Sequence, residues 1–174
     1  MACIICDNKK VSTLISEGGY KYGICSYCGH VQQEDIKEKE HYHDLPYESQ
    51  WKDYDMHSKN RAQYIHEFCG NIITEDICDI GCGWGGPLYY MKKLFQSSKA
   101  IGITIDSEVD NRLTEWNLGL TIYFQDFIEW KPDTKFEFVT MVHVLEHFID
   151  PKSAIAKLRN ILRDNGHAYI EVPS

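Results

Sequence analysis

The fold is decided by residues 77–87, which read Ile-Cys-Asp-Ile-Gly-Cys-Gly-Trp-Gly-Gly-Pro. The apolar run from Ile77 to Ile80 predicts a short buried strand, and the glycines that follow predict a tight turn. Residues 87–95 predict a helix, because proline is well tolerated in the first helical turn. A strand, a glycine-rich turn and a helix in this order let the backbone of an α/β sheet approach a nucleotide-like ligand closely.

The same glycines are compatible with two kinds of ligand. Gly81, Gly83 and Gly86 satisfy the dinucleotide pattern G-x-G-x-x-G. Asp79 lies two residues before the first glycine, where a carboxylate would repel a pyrophosphate and attract an ammonium group. This position favours an adenosine ligand without a pyrophosphate over NAD.

Composition narrows the class of protein. The chain has 174 residues, is 43% hydrophobic and carries a formal net charge of -8. The length predicts one domain with a small appendage, and the negative charge does not favour a nucleic-acid partner. The sequence has no apolar run of about 18 residues and no N-terminal signal segment. We therefore expect a cytoplasmic protein with no membrane association.

Four N-terminal cysteines have metal-ligand spacing. They form C-x2-C, 18 intervening residues and a second C-x2-C, at Cys3, Cys6, Cys25 and Cys28. Four thiolates suit a tetrahedral, structural Zn²⁺, and the residues between the pairs predict a β-hairpin. The alternatives are reduced thiols without metal, or His30 replacing one cysteine. The other three cysteines, at positions 69, 78 and 82, are interpreted as small apolar residues.

Residues 34–57 separate this region from the α/β part and predict a charged linker followed by an aromatic segment. Either the aromatic segment covers the ligand cleft as a lid, with His43 and Tyr47 facing the ligand, or its aromatic rings pack on the domain surface. A helix is predicted over 58–68, with Ser58 as its cap and an apolar face that ends at Phe68.

Further ligand-binding candidates follow the next two predicted strands, 100–105 and 121–124, with a helix over 109–118 between them. Asp106, or alternatively Thr104, lies where an acidic group commonly meets ribose hydroxyls. Asp126 is placed to accept a hydrogen bond from an adenine amino group, and Phe127 to offer its backbone N–H or its ring face. The alternative for Asp126 is a turn or helix cap.

The last predicted strands are 136–142 and 167–172. His143, Glu146 and His147 follow the first of them, and an H-x3-H metal pair there would lack a third ligand at a recognisable spacing. Asp150 and Pro151 predict the start of a helix that runs to Leu162. Asn165 and Gly166 predict the turn into the final strand.

With these positions placed, the chain resembles the class I S-adenosylmethionine-dependent methyltransferases over 58–174. The similarity lies in Asp-Ile-Gly-Cys-Gly-Trp-Gly at 79–85, Gln-Asp-Phe at 125–127 and Val-Leu-Glu-His-Phe-Ile-Asp-Pro at 144–151. The resemblance implies a Rossmann-like, doubly wound α/β sheet preceded by a small zinc ribbon (residues 1–33). It implies that the cofactor's methionine part is held by Asp79, Gly81, Cys82, Gly83, Trp84 and Gly85. It further implies that the cofactor's ribose contacts Thr104 or Asp106 and that its adenine contacts Asp126 and Phe127. His143 would lie beside the bound methionine part.

The N-terminal third looks like the zinc-binding domain of sugar C-methyltransferases, on Cys25 to Gln33 and Tyr47 to Ser49. This similarity implies a small-molecule acceptor such as a nucleotide-linked sugar. Gly-Cys-Gly-Trp-Gly-Gly with Gly-Ile-Thr-Ile is also similar to the cyclopropane fatty acid synthase branch. Candidate catalytic bases are Glu146 and His147, with Tyr47 and His43 as lid candidates; Glu146 and His147 are equally compatible with a structural pair.

Class I methyltransferases usually add two strands after the fifth, whereas this sequence ends at Ser174. We expect either a fragment or a partner chain, such as a second copy, that covers the exposed strand edge. Three rival functions stay open: a non-catalytic, partner-dependent binding module, an NAD-dependent enzyme and an RNA methyltransferase.

Overall fold

The computed structural model describes residues 1–17, 20–33, 51–70, 72, 74–106 and 118–173. The chain forms two compact units. The first comprises Met1–Leu45 with Ile149–Lys152, and the second comprises Pro46–Phe148 with Ser153–Ser174.

The first unit contains a three-stranded antiparallel sheet. Its strands are β1 (Val11–Glu17), β2 (Tyr20–Cys25) and β3 (Val31–Gln33), in the order β1-β2-β3. The register pairs Glu17 with Tyr20 and Val11 with Cys25. This confirms the predicted hairpin, although its two turn glycines lie outside the described residues. The third strand was not predicted, because three residues carry too little periodicity to be recognised.

The second unit alternates helices and parallel strands. Its elements are α1 (Trp51–Cys69), β4 (Asp76–Ile80), α2 (Gly86–Leu94), β5 (Lys99–Thr104), β6 (Thr121–Phe124), β7 (Phe136–Val142), α3 (Pro151–Ile161, whose first two residues are assigned to the first unit) and β8 (Leu162–Glu171). All neighbouring strands pair in parallel, in the order β6-β5-β4-β7-β8. The predicted α/β sheet is confirmed, while the helix predicted over 109–118 falls largely outside the described residues.

Two apolar cores lie on opposite faces of this sheet. Successive strand residues point to opposite faces, so Ile77 and Phe138 pack with residues of α1 and α2, whereas Cys78 and Val139 pack with residues of α3. Every residue of β4 is buried. Even Asp76 is buried at its start, where the carboxylate pairs with Arg163 Nη2 at 2.6 Å and accepts the Glu137 N–H at 2.7 Å.

The first helix corrects two predictions. It begins at Trp51, so residues 51–57 belong to α1 and not to the linker, and Ser58 is a buried interior residue instead of a cap. No glycine or proline interrupts 51–57, so nothing in the sequence stops the helix there. Phe68, predicted in the core, is 71% exposed and lies edge-on to the Tyr169 ring at 5.6 Å.

The last strand begins earlier than expected. Leu162 directly follows α3 and pairs with Phe136, and the regular ladder resumes at His167 opposite Phe138. Asn165 lies between these pairs with φ 64, which confirms a local turn but places it inside the strand as an irregularity. No helix in the described part of the chain is long and apolar enough to cross a membrane.

Candidate functional site

The glycine-rich loop after β4 is held in a left-handed backbone conformation. Gly81, Gly83 and Gly85 have φ values of 72°, 49° and 73°, a region that residues with a Cβ rarely adopt. The backbone N–H groups of Gly81 and Cys82 both donate to the carbonyl of Ile103, at 2.8 and 3.0 Å. The loop is therefore fixed to the end of β5.

The three glycines have different surroundings. A Cβ added at Gly81 would collide with the side chain of Val144, and one at Gly85 would lie 2.8 Å from Leu120 Cδ1. A Cβ added at Gly83 would meet no heavy atom within 4 Å. Gly81 and Gly85 therefore allow the loop to pack, whereas Gly83 presents its backbone to open space. This is the arrangement that a closely approaching ligand requires.

Asp79 is the second-last residue of β4 and carries a buried carboxyl group. It is 5% exposed, and one of its oxygens accepts a hydrogen bond from Thr140 Oγ1 on β7 at 2.7 Å. Burial raises the pKa of Asp79 to about 7, and the hydrogen bond from Thr140 only partly offsets this. A cation placed beside Asp79 would stabilise its charged form. The buried carboxyl is thus suited to an ammonium group.

Cys82 and Trp84, the non-glycine residues of the loop, are buried. The Cys82 sulfur lies so close to β5 that a Cβ at Gly102 would collide with it, which explains the glycine in that strand. Burial raises the pKa of Cys82 well above that of an ordinary thiol. The thiol is therefore a packing group, as interpreted from the sequence, and the ligand-binding role left to Cys82 is that of its backbone.

Thr104 and Asp106 lie at the end of β5. Thr104 is buried, and its hydroxyl accepts the backbone N–H of Asp106 at 3.2 Å. The carbonyl of Thr104 also accepts the N–H of Gln125 at 3.0 Å, which joins the ends of β5 and β6. Asp106, which is only partly buried, follows this turn.

Asp126 and Phe127 follow β6. The Asp126 carboxylate accepts the backbone N–H of Ile128 at 2.6 Å, so the capping alternative for Asp126 is confirmed, and its exposed carboxylate also remains open to a ligand. Phe127 is 4% exposed and packs edge-on against Phe148 in the core. Because its ring is buried there, the group that Phe127 can offer to a ligand is the backbone N–H.

His143, Glu146 and His147 lie beyond the end of β7, around a 3₁₀ turn at Leu145–His147. Glu146 Oε1 is 3.9 Å from His143 Nδ1 and 3.9 Å from His147 Nε2. His143 has φ 54 and its N–H donates to the carbonyl of Glu171 at 2.9 Å. Within the described ranges, these side chains do not form a group that could hold a metal ion. Tyr47 and His43 lie outside the described residues.

Sequence reasoning missed a polar network that joins α1 to the end of β8. Glu171 Oε1 pairs with Arg61 Nη1 and lies 3.4 Å from His143 Nε2, and its Oε2 accepts the Tyr169 hydroxyl at 2.7 Å. Burial acts to raise the pKa of Glu171, but the hydrogen bonds from Tyr169 and Arg61 hold it below its usual value. The available signal was that Glu171 is the second-last residue of the last predicted strand, 167–172, beside the other strand ends that carry polar groups.

A cavity of 450 Å³ opens beside this network. It is lined by His57, Asn60, Arg61, Tyr64, Tyr169 and Glu171, which come from α1 and β8.

The four predicted cysteine ligands come together in the first unit. Their sulfur atoms all lie within 4.8 Å of one another, with 3.6 Å between Cys3 and Cys28 and 3.6 Å between Cys6 and Cys25. Backbone N–H groups of Cys28 and Tyr27 lower the pKa of Cys25 to about 7, against the effect of burial. His30 is not among the residues of this cluster. No other His, Cys, Asp or Glu cluster in the described ranges has metal-binding geometry.

Several known proteins are similar to this chain. One curated relative is a ubiquinone biosynthesis O-methyltransferase of Histophilus somni, 30% identical over 114 residues, which cover 61% of this chain and 48% of the relative. Another is a cyclopropane-fatty-acyl-phospholipid synthase of Escherichia coli, 31% identical over 108 residues, covering 59% of this chain and 27% of the relative. The chain thus spans about half or less of the length of these relatives.

Solved structures share the fold. An S-adenosylmethionine-dependent methyltransferase from Clostridium acetobutylicum superposes with a TM-score of 0.58 at 20% identity, over 72% of this chain and 54% of that one. The plantazolicin methyltransferase BpumL, in complex with a desmethyl analogue and S-adenosylhomocysteine, has a TM-score of 0.55 at 18% identity, over 72% and 49%.

A family model described as a methyltransferase domain matches residues 43–174. The match takes in the glycine loop, every strand of the parallel sheet and the residues beyond β7. The nicotinamide alternative suggested by G-x-G-x-x-G is therefore wrong. The chain belongs to the methyltransferase domain family.

Proposed function

We propose that this chain carries the cofactor-binding core of an S-adenosylmethionine-dependent methyltransferase that acts on a small molecule. The observation that carries the proposal is the left-handed glycine loop with open space at Gly83, directly beyond the buried Asp79. The family match and the O-methyltransferase relatives support the same reaction class.

In this proposal each strand end contacts a different part of the cofactor. Asp79 and the backbone of residues 81–85 bind the amino-acid part, since a buried carboxyl group suits an ammonium. Asp106 or Thr104 contacts the ribose, and Asp126 with the backbone of Phe127 contacts the adenine. When bound, S-adenosylmethionine supplies a methyl group on a positively charged sulfur, the chemistry that a cofactor contributes here.

The chain's own contribution to the reaction is orientation and proton transfer. The acceptor atom must lie about 3 to 3.5 Å from the methyl carbon, in line with the bond that breaks. When the acceptor receives the methyl group, its proton would pass to a base on this chain. Glu146, His147 and Tyr47 are the proposed groups for this step, and His143 is proposed to lie beside the methionine part.

We also propose that the four cysteines hold a structural Zn²⁺. Four ligands at the Zn–S distance of about 2.3 Å place sulfur atoms about 3.8 Å apart in a tetrahedron. Two of the six sulfur–sulfur separations are 3.6 Å, close to this value, and all four sulfur atoms lie within 4.8 Å of one another, so modest shifts would bring the cluster to this geometry. A site closed by four thiolates has no position for substrate, so the metal's role is to hold the first unit together.

For the acceptor, a nucleotide-linked sugar or other surface-polysaccharide precursor is our proposal, and it rests on the N-terminal resemblance. A second candidate is C-methyl transfer of the cyclopropane synthase kind, which the similarity to the Escherichia coli synthase favours. A cytoplasmic location, and a second copy or partner chain on the outer edge of β8, also stay proposals. Native mass spectrometry and size-exclusion chromatography address the partner.

The test of the cofactor proposal is calorimetry with S-adenosylhomocysteine, with NADH as the control ligand. We expect one S-adenosylhomocysteine per chain and no heat from NADH. Absence of S-adenosylhomocysteine binding by folded protein would refute the proposal. Binding without methyl transfer to any sugar nucleotide, phenol or unsaturated phospholipid would favour the non-catalytic alternative.

A further inference from the structure

Every side chain that lines the cavity between α1 and β8 carries a polar group, and the tyrosine rings add apolar surface beside these groups. Each of its six lining residues carries a hydrogen-bonding group, supplied by imidazole, amide, guanidinium, phenol and carboxylate side chains. Its volume of 450 Å³ falls within the range of small-molecule sites, which more often have mainly apolar walls. The lining therefore suits a ligand that combines several polar groups with the apolar face of a ring.

The charges in the cavity are already paired. The Arg61 guanidinium and the Glu171 carboxylate form an ion pair, and the second Glu171 oxygen accepts the Tyr169 hydroxyl. An anionic ligand would have to compete with Glu171 for the guanidinium, and a cationic ligand would have to compete with Arg61 for the carboxylate. An uncharged ligand displaces neither partner.

The remaining lining groups suit hydroxyls. Asn60 and His57 are exposed on α1 and can each donate and accept hydrogen bonds, as a hydroxyl group does. Tyr64 is 55% exposed, so its ring offers a face on which a ligand ring can pack. Amide, imidazole and aromatic groups around one cavity are complementary to a ring that carries several hydroxyls.

The cavity and the glycine loop lie at the same end of the parallel sheet, since the loop follows β4 and Glu171 ends β8. β7 lies between β4 and β8, and Val144, just beyond β7, abuts Gly81 of the loop. The preceding residue, His143, donates its N–H to the carbonyl of Glu171, and its ring nitrogen lies 3.4 Å from the Glu171 carboxylate. Continuous contacts thus lead from the loop to the cavity through residues 143 and 144.

We propose that this cavity is the acceptor-binding site and that it takes an uncharged, hydroxyl-rich ring. The inference rests on the proposed function, because it assigns the cavity by its closeness to the cofactor loop. A saturated sugar ring and a polyhydroxylated phenol share this chemistry. Because Arg61 and Glu171 are already paired, we expect a ring that itself carries a charge to bind in the cavity more weakly than its neutral form.

The test is saturation-transfer NMR on the full chain in the presence of S-adenosylhomocysteine, whose own binding is measured by calorimetry on the same sample. The neutral probes are methyl α-D-glucopyranoside and catechol, and the charged probes are glucose 6-phosphate and phenyl phosphate. The cavity variant is Asn60→Ala, and the matched control is Gln63→Ala, an exposed residue of the same helix that does not line the cavity.

We expect at least one neutral probe to bind, with a signal at least fivefold stronger than that of its phosphorylated counterpart. Asn60→Ala should reduce that signal at least threefold and Gln63→Ala should leave it unchanged. Preference for the glucoside identifies a sugar acceptor, and preference for catechol identifies a phenolic one.

Three results would overturn the inference: no neutral probe binds, the phosphorylated probes bind better, or both variants lose the signal equally. If these occur while S-adenosylhomocysteine still binds, the acceptor assignment fails and the cofactor proposal stands. If S-adenosylhomocysteine does not bind the folded protein, the proposed function fails first.

Discussion

Replacing Asp79 by asparagine should weaken cofactor binding and, at neutral pH, stabilise the unliganded protein. The carboxyl is buried, and its pKa is raised to about 7. If the ligand's ammonium requires the ionised form, affinity varies as the ionised fraction. That fraction changes about tenfold between pH 6 and pH 8, or about 1.4 kcal/mol.

Calorimetry with S-adenosylhomocysteine from pH 6 to pH 8 measures this effect. The wild type should bind about tenfold more tightly at pH 8 than at pH 6. Asp79→Asn should lose the pH dependence and bind at least tenfold more weakly at pH 8, since hydrogen bonds to a charged group contribute about 1.5–3 kcal/mol. Titration of the ligand itself affects both proteins equally and cancels in the comparison.

The same substitution should stabilise the unliganded protein at high pH. A carboxyl whose folded pKa is raised contributes stability at low pH, and that stability is lost as the pH rises through the folded pKa. With the pKa moved from 3.8 to about 7, the loss amounts to about 4 kcal/mol at neutral pH. The unfolding free energy of Asp79→Asn minus that of wild type should therefore grow between pH 4 and pH 7, and then level off.

Urea unfolding followed by tryptophan fluorescence measures the unfolding free energy of the second unit, which contains Asp79. All four tryptophans lie in Pro46–Ser174 and none in the cysteine-rich N-terminal segment. Thr140→Val serves as the control. It removes the hydrogen bond that lowers the Asp79 pKa, so the midpoint of the binding profile should move to higher pH. A wild-type affinity that stays constant from pH 6 to pH 8 would refute the proposed role of Asp79.

Three further variants test the remaining parts of the site. Cys28→Ser should lose the single zinc expected per chain by atomic emission, whereas Cys69→Ser should keep it; zinc retained by the first variant would contradict a four-cysteine site. Gly81→Ala should lower the unfolding free energy by about 2–5 kcal/mol, from left-handed strain plus the steric clash, and Gly83→Ala by about 1–2 kcal/mol while weakening S-adenosylhomocysteine binding more than tenfold. Equal effects of the two glycine variants on stability and binding would count against an open ligand site. Asp126→Ala should lower the unfolding free energy by about 1 kcal/mol, because the hydrogen bond to the Ile128 N–H is lost. If the variant also binds adenosine more weakly in calorimetry, Asp126 contacts the cofactor.

Local sequence determined the features that depend on neighbouring residues. The bounds of β6 and β7 match the predictions, because their apolar runs and flanking turns are contained in a few positions. The glycine loop was predictable because positive φ excludes most other residues, and the cysteine cluster because its spacing is itself the signal.

The sequence alone misplaced features that depend on what packs against them. Ser58 has the chemistry of a cap, yet Gly86 of α2 leaves it room inside a longer helix. From the sequence, either the ring or the backbone N–H of Phe127 could contact a ligand. In the structure the ring packs in the core, so the backbone N–H is the group left for a ligand.

Sequence by itself therefore determined the α/β class, the glycine loop, the cysteine cluster and the order of the strand-end residues. Tertiary structure alone decided that Arg61 meets Glu171 across 110 positions of chain, that His143 and Tyr169 join them, and that a polar cavity opens there. The physical reason is that helix and strand periodicity extends over a few residues only. A contact between α1 and β8 exists because the four strands and two helices described between them in the chain bring their ends to one edge of the sheet.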